Sequence, residues 1–345
     1  ADDTALVAAG SFDPVTGNVF AANDQGVEDV AGADGAAISG VAPGDTGTAL
    51  NDAATVGKAI QGQYGVLTIN TDGTYSYVRD PGTPGGVDDT CTYTLRDADG
   101  DSSTATLVVS LGNSDVTVNL PSVEDSGTIV SEAGLAAGSN AAADSETTTG
   151  SFSFAAADGP AVITVNGATV TAGDTVSGTY GTLTITSIAA GTVAYTYTLD
   201  VATNGDDTSD NFAIVVTDAD GDAANGNLAI NIIDDEPTAA DDTALVAAGS
   251  YDPVSGNVFA ANDQGVEDVA GADGAAVFGV APGDTGTALN DAATVGTDIQ
   301  GPYGTLTIDA DGSYSYARDA GTPVAWMTPL LTPCAMRMAI PLQRH

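Results

Sequence analysis

Positive charge is what this chain has least of: 6 Lys and Arg stand against 47 Asp and Glu in 345 residues, a formal net charge of −41. Such a surface repels nucleic acid and anionic lipid, which excludes both as partners. Histidine is almost absent as well. The single one is His345, so Ser-His-Asp and His-metal catalysis have no base or ligand to use. Catalysis is therefore not expected, since no phosphate-binding Gly-rich loop ending in Gly-Lys is present and carboxylates this abundant make chance acid pairs uninformative. The two cysteines, Cys91 and Cys334, form no disulfide framework, so stability must come from elsewhere. No apolar run approaches the ~20 residues of a membrane helix, and no signal-peptide pattern opens the chain. Apolar residues nowhere recur at helical spacing.

What remains is Gly, Thr, Val, Ala and Asp in short alternating runs, the pattern of an all-β protein. The largest regularity is a repeat. Ala1–Pro84 recurs as Ala240–Pro323 without insertion or deletion, and 13 of the 84 positions differ, among them Phe12/Tyr251, Thr16/Ser255 and Lys58/Thr297. A domain-sized block repeated at a constant offset marks a tandem array. The chain opens mid-pattern, which is expected of a piece of something longer.

Four segments follow. Residues 1–118 form a first module. In it Tyr64–Ile69 and Thr74–Val78 read as a hairpin across Asn70-Thr71-Asp72-Gly73, and Thr90–Leu95 pairs with Thr104–Leu111 across an acidic loop. Residues 119–238 form a second module of different sequence. Its expected strands are Gly150–Phe154, Val162–Val165, Tyr180–Ile185, Val193–Leu199, Asn211–Val216 and Asn227–Ile233. Residues 239–323 are an incomplete second copy of the first module. Several short antiparallel strands per unit point to tandem β-sandwiches of the Ig-like or cadherin-like kind.

Residues 324–345 break the pattern. They hold the only Trp, all three Met and no acid. Plausible codons for Gly85-Gly86-Val87-Asp88-Asp89, read one base on, spell Val-Ala-Trp-Met-Thr, the sequence Val324–Thr328. The correspondence runs through Val324–His345 against Gly85–Thr106, so this tail reads as a shifted frame of the repeat's own gene. The third module then lacks the strands equivalent to Thr90–Leu95 and Thr104–Leu111, and is expected to be the least stable part of the chain.

Candidate chemistry lies in the acids. Asp97-Ala98-Asp99-Gly100-Asp101 recurs as Asp218-Ala219-Asp220-Gly221-Asp222. Three carboxylates in five residues suit Ca²⁺, which takes six to eight oxygen ligands, or they are a solvated hairpin turn. The loop is not an EF-hand, because Gly100 stands fourth rather than sixth and Val108, not Glu, stands twelfth. Asp234-Asp235-Glu236-Pro237 leading into Asp241-Asp242 places acids on both sides of a module boundary, where Ca²⁺ would fix the angle or an acidic linker would simply keep the chain soluble. Asp2, Asp3, Glu124 and Asp125 occupy comparable module starts. Asn23, Asp24, Asp29 and Asp34, with copies Asn262, Asp263, Asp268 and Asp273, form a third candidate.

Gly17-Asn18-Val19, Asn23-Asp24, Tyr64-Gly65-Val66-Leu67-Thr68-Ile69 and Asp72-Gly73-Thr74-Tyr75-Ser76-Tyr77 resemble the VCBS-type, cadherin-like repeats of giant bacterial surface proteins. The second module, with Gly150-Ser151-Phe152, Tyr180-Gly181-Thr182-Leu183, Asp218–Asp222 and Asp234-Asp235-Glu236-Pro237, resembles the Ig-like repeat of type I-secreted (RTX-type) adhesins. Module one departs from the pattern by lacking a tight Asp-x-Asp-x-Asp-Gly-Asp run between Asp24 and Asp34. The resemblance implies a secreted or cell-surface extender, calcium-stiffened, serving adhesion or a biofilm matrix, with neighbouring repeats as partners. The alternative is a β-sandwich module that binds a glycan or surface.

Overall fold

The computed structural model describes residues 1–21, 29–203, 208–260, 268–283, 285 and 289–322. Three units follow one another, the first two of them sandwiches, each with its own core. The first holds β1 (Asp3–Val7), β2 (Val15–Asn18), β3 (Ala36–Pro43), β4 (Ile60–Gln61), β5 (Gly65–Ile69), β6 (Thr74–Arg79), β7 (Asp88–Asp97) and β8 (Ser102–Leu111). They form two four-stranded sheets, β1-β8-β7-β3 and β2-β6-β5-β4. Leu67, Ile69, Tyr75 and Tyr77 face Tyr93, Leu107 and Val109 across the core, so period-two alternation buries one face of each strand.

The second unit comprises β9 (Thr117–Asn119), β10 (Ile129–Ser131), β11 (Thr147–Ala155), β12 (Val162–Val165), β13 (Ala168–Thr169), β14 (Thr175–Ser177), β15 (Gly181–Ala189), β16 (Thr192–Leu199), β17 (Thr208–Thr217) and β18 (Ala223–Ile233). Its sheets run β10-β18-β17-β12-β13 and β14-β15-β16-β11-β9. The plan matches that of the first unit: β10 lies parallel to β18 as β1 lies parallel to β8, and the two central hairpins correspond. All the strands expected from alternation are present, most of them longer than the pattern alone indicated. Thr117–Asn119 pairs with β11, so the second sandwich draws in chain before Asn119.

Glycine opposite tyrosine recurs through the array. Gly17 pairs with Tyr75, Gly150 with Tyr195 and Gly256 with Tyr314. A Cβ built on Gly150 would stand 2.4 Å from the Tyr195 hydroxyl oxygen, so the ring lies over bare backbone. This explains why the tyrosine strands tolerate glycine neighbours.

The third unit retains β19 (Val254–Asn257), β20 (Ile299–Gln300), β21 (Gly304–Ile308) and β22 (Ser313–Arg318), a single four-stranded sheet. Asp242–Val246 repeats the sequence of β1 letter for letter, and it forms no strand. The copy of β3 forms none either. In the first unit β1 pairs with β8 and β3 with β7, and the copies of β7 and β8 would lie in the altered segment after Pro323, which falls outside the described residues. Where the partners are not described, neither edge strand is assigned. β7 and β8 supply seven of the sixteen buried apolar residues in the first core, while the described residues of the third unit bury five.

Candidate functional site: two acidic junctions

The loop between β7 and β8 is held by its first acid. Asp97 Oδ1 accepts the backbone N–H groups of Gly100 (2.9 Å) and Asp101 (2.8 Å), and Gly100 takes a φ of +105° that favours glycine. A hydrogen bond from Asp99 holds Asp97 below its ordinary value, and the same bond raises Asp99. Carboxylate oxygens of Asp97, Asp99 and Asp101 lie within 4.8 Å of one another. This loop is solvent-facing and makes a complete turn by itself, so the solvated-turn reading and the cation reading both fit it.

The copy in the second unit has the same internal turn, with Asp218 Oδ1 accepting from Gly221 (3.1 Å) and Asp222 (2.9 Å). Its setting is different, because it docks on the first unit. Asp220 Oδ2 accepts the Gly85 N–H at 3.0 Å, and Asn113 Nδ2 donates to Asp222 at 2.9 Å. Beside it stands Asp158, an acid that sequence reasoning passed over because its Asp158-Gly159 pair reads as an ordinary turn. Asp158 is fully buried, accepts from the Ser114 N–H and hydroxyl, and forms an ion pair with Arg79 at 3.0 Å. Oxygens of Asp158, Asp218 and Asp220 lie within 4.8 Å of one another, with Asp218 raised by burial first and then by its bond to Asp220.

The second junction is built without a basic side chain in the described contacts. The five acids expected to act together, Asp234, Asp235, Glu236, Asp241 and Asp242, are divided. Asp235 spends both oxygens inside its own unit, on the Ser139 N–H (2.7 Å) and hydroxyl (2.5 Å). Glu236 and Asp241 are exposed, whereas Asp242 is buried. Asp234 is pushed up to about 6, by burial first and then by Glu132, Asp273, Glu236 and Asp235. Glu132 had given no sequence signal, being a lone acid about a hundred residues before the linker, and Asp273 had been grouped with Asn262, Asp263 and Asp268 as a separate end-loop candidate rather than with the linker acids. Glu132 is wholly buried; its Oε1 accepts from the Thr203 N–H (2.7 Å) and hydroxyl (2.6 Å), while Oε2 has no hydrogen-bond partner among the described residues. Asp273 Oδ2 and Glu146 Oε2 are likewise buried and unmatched there. Beyond the linker, Thr238 and Val269 exchange backbone bonds of 2.8 and 2.9 Å, and Asp268 Oδ1 accepts from Ala240 at 2.6 Å, tying the linker to the third unit. Buried carboxylate oxygens facing other carboxylates are costly unless a cation shares the space, and an all-oxygen donor set suits Ca²⁺. By donor chemistry the set suits the metal, although among the described residues no three of these acids bring oxygens within 4.8 Å of one another as Asp158, Asp218 and Asp220 do at the first junction.

Asp29 sits elsewhere, bonded by Tyr93 at 2.7 Å beside buried Asp3, which is a structural contact in the first core. Asn23, Asp24, Asn262 and Asp263 lie outside the described residues.

Residues 1–110 match the bacterial Ig domain family. No curated protein matches the chain. Among solved structures, the extracellular cadherin domains 3–6 of protocadherin gamma B2 are similar at 12% identity and a TM-score of 0.25, covering 67% of this chain and 51% of that one. The human desmocollin-1 ectodomain follows at 10% identity and 0.23, covering 94% and 53%. An endo-fucoidan hydrolase of glycoside hydrolase family 107 also matches, at 16% identity and 0.20, covering 67% and 33%. The chain thus spans about half the length of those two cadherin structures and a third of the hydrolase. At these scores the likeness decides nothing about function. No helix among the described residues is long and apolar enough to cross a membrane.

Proposed function

We propose that this chain is a structural extender, a run of bacterial Ig-like sandwiches within a large secreted surface adhesin, whose second junction is stiffened by Ca²⁺. The observation that carries the reading is the buried, unmatched Glu132 Oε2 in the acidic surroundings of Asp234 and Asp273. Glu132, Asp234 and Asp273 would hold the ion. The bound metal would cancel carboxylate repulsion and join the linker to both neighbouring units. The protein's own groups set the geometry: Thr203 orients Glu132, Ser139 pins the start of the linker through Asp235, and the Thr238–Val269 bridge pins its end. Export by type I secretion and service in adhesion or a biofilm matrix belong to the same proposal and rest on the resemblance of the repeats.

A glycan-binding role would call for aromatic platforms at the surface. Tyr75, Tyr77, Tyr93, Tyr195 and Tyr197 are core residues, and exposed Phe12 and Tyr251 lie over Arg79 and Arg318, which favours the spacer.

Thermal unfolding of the whole chain in millimolar Ca²⁺, in Mg²⁺ and in chelator tests the reading. An ion that binds only the folded state stabilises it by about 2.7 kcal/mol at a hundredfold excess over its dissociation constant. A rise in melting temperature specific to Ca²⁺ is expected. An equal rise with Mg²⁺ or plain salt would reduce the acids to a screening effect and end the calcium proposal.

A further inference from the structure

The two junctions differ in one respect that bears on how the array responds to calcium. The second gathers acids from two units, whereas the acids of the first all belong to the second unit and face a buried basic side chain of the first, the one such side chain at either junction among the described residues. Arg79, at the end of β6, is fully buried, and its guanidinium meets Asp158 of the second unit at 3.0 Å. The guanidinium is fixed by its own unit: Nε donates to Thr83 Oγ1 (2.8 Å), Nη2 donates to the Thr83 carbonyl (2.7 Å), and the group lies 5.2 Å from the centre of the Phe12 ring. The third unit repeats this cradle. Arg318 Nε donates to Thr322 Oγ1 at 2.7 Å, Nη2 donates to the Thr322 carbonyl at 2.5 Å, and Tyr251 stacks at 5.3 Å. No carboxylate is paired with Arg318 among the described residues, so the cradle assembles without an acid across from it. Arg79 is therefore preorganised to receive one.

We infer that the Arg79 face is a docking surface for the acidic end of a module like residues 119–238, and that it closes the first junction without a metal ion. The guanidinium does there what a divalent cation would do at the second junction, neutralising an acid that has left water. Protein donors meet part of the remaining charge, Gly85 on Asp220, Asn113 on Asp222 and Ser114 on Asp158, while Asp218 Oδ2 is buried with no hydrogen-bond partner among the described residues. A buried charge left without its partner is strongly destabilising, so Asp158 and Arg79 each need the other. The array then alternates between a joint that is always closed and a joint that calcium closes. This rests on the extender reading only for the second joint.

The test uses pulsed electron-spin distance measurement on the full chain with Cys334→Ser. Cys91 is buried, and burial pushes its thiol up to about 12, so it stays unlabelled. One labelled pair, at exposed Ser103 and Asn225, spans the first junction; another, at Thr169 and Ser315, spans the second. The distance distribution across the first junction is expected to be narrow in chelator and unchanged by Ca²⁺, and Arg79→Gln is expected to broaden it. A wild-type distribution that is broad in chelator and narrows with Ca²⁺ would overturn the inference, assigning Asp158, Asp218 and Asp220 to a metal instead. So would an Arg79→Gln chain as narrow as wild type. Should that variant not fold, Asp158→Asn breaks the same contact from the other side and is read in the same way. Indifference of the second pair to Ca²⁺ would sink the calcium-stiffening proposal while leaving the Arg79 contact standing.

Discussion

The Tyr197 hydroxyl donates to Asp210 across 3.0 Å inside the second sandwich, and Tyr77 makes the same bond to Asp89 across 2.9 Å in the first. Each aspartate also receives backbone N–H groups from the turn before the central hairpin. Asp210 takes those of Thr179, Tyr180 and Gly181; Asp89 takes those of Gln63 and Tyr64. Two modules of different sequence thus anchor the same turn with the same acid. These buried aspartates are structural, and the tyrosine phenols are held well above their ordinary value by burial first.

Asp210→Ala should therefore cost far more than a surface change. It strands buried donors, each worth about 1–3 kcal/mol when left unmatched. Urea unfolding followed in the second module should show a loss on the order of 3 kcal/mol or more. A change below about 0.5 kcal/mol, the range of ordinary surface substitutions, would mean that the turn holds itself.

Gly150→Ala tests the glycine–tyrosine arrangement. The new methyl would meet the Tyr195 ring end at 2.4 Å, and the Tyr195 hydroxyl would lose its bond to the Gly127 carbonyl (3.1 Å) as the ring moves. Overpacking of this kind typically costs about 1–3 kcal/mol. The melting temperature should fall, and a rise would show that the ring has room to yield.

The third unit should be the weak one. Losing seven core side chains, at about 1.5–3 kcal/mol for each large one, removes as much as the ~5–15 kcal/mol that stabilises a whole domain. Amide hydrogens of Ser313–Arg318 should exchange with solvent much faster than those of Thr74–Arg79, although the two strands differ at only two positions. Replacing residues 324–345 by Gly85–Leu111 should restore protection and convert Asp242–Val246 into a strand. Equal exchange in the two strands of the unaltered chain would refute the argument.

Asp234 gives the second junction a pH response in chelator. Its ionised form is disfavoured in the folded chain, so the folded state holds a proton that the unfolded state releases between the ordinary 3.8 and about 6. The associated stability is fully present below pH 3.8 and is lost as pH rises through about 6. The label pair spanning this junction should give a narrower distribution near pH 4.5 than near pH 7 without Ca²⁺. Asp234→Asn should abolish the difference, and its persistence would shift the effect to another acid.

Glu132→Gln separates metal binding from folding. The amide oxygen can still accept from Thr203, so the fold should stay close to wild type while the Ca²⁺-specific rise in melting temperature shrinks. An undiminished rise would remove Glu132 from the ion's ligands.

The hairpins were legible from sequence because their alternation is strong and their turns carry Asp-Gly, as in Thr68–Tyr77. β1 and β3 were not. Asp3–Val7 is a strand through its pairing with Leu107–Leu111, and its copy Asp242–Val246, identical in sequence, carries no strand, with a bridge at Asp242 alone. The acidic loops were visible as loops, yet their roles depended on Asp158, Glu132 and Asp273, single acids that only the folded chain brings near them. Arg79 gave no signal of its own in the sequence; its importance lies in facing the next module.

The parallel pairing of β1 with β8 also sets the order in which a module can be made. A growing chain releases Asp3–Val7 first, then must emit about a hundred residues before Leu107 arrives to meet it. Until then the opening strand waits with an unpaired edge, and any other copy of β8 within reach is an equally good match. In this chain the repeated modules are separated by one of unlike sequence, whose own closing strand pairs with Ile129–Ser131. An alternating array therefore puts distance between interchangeable strands, which discourages neighbours from exchanging them during synthesis.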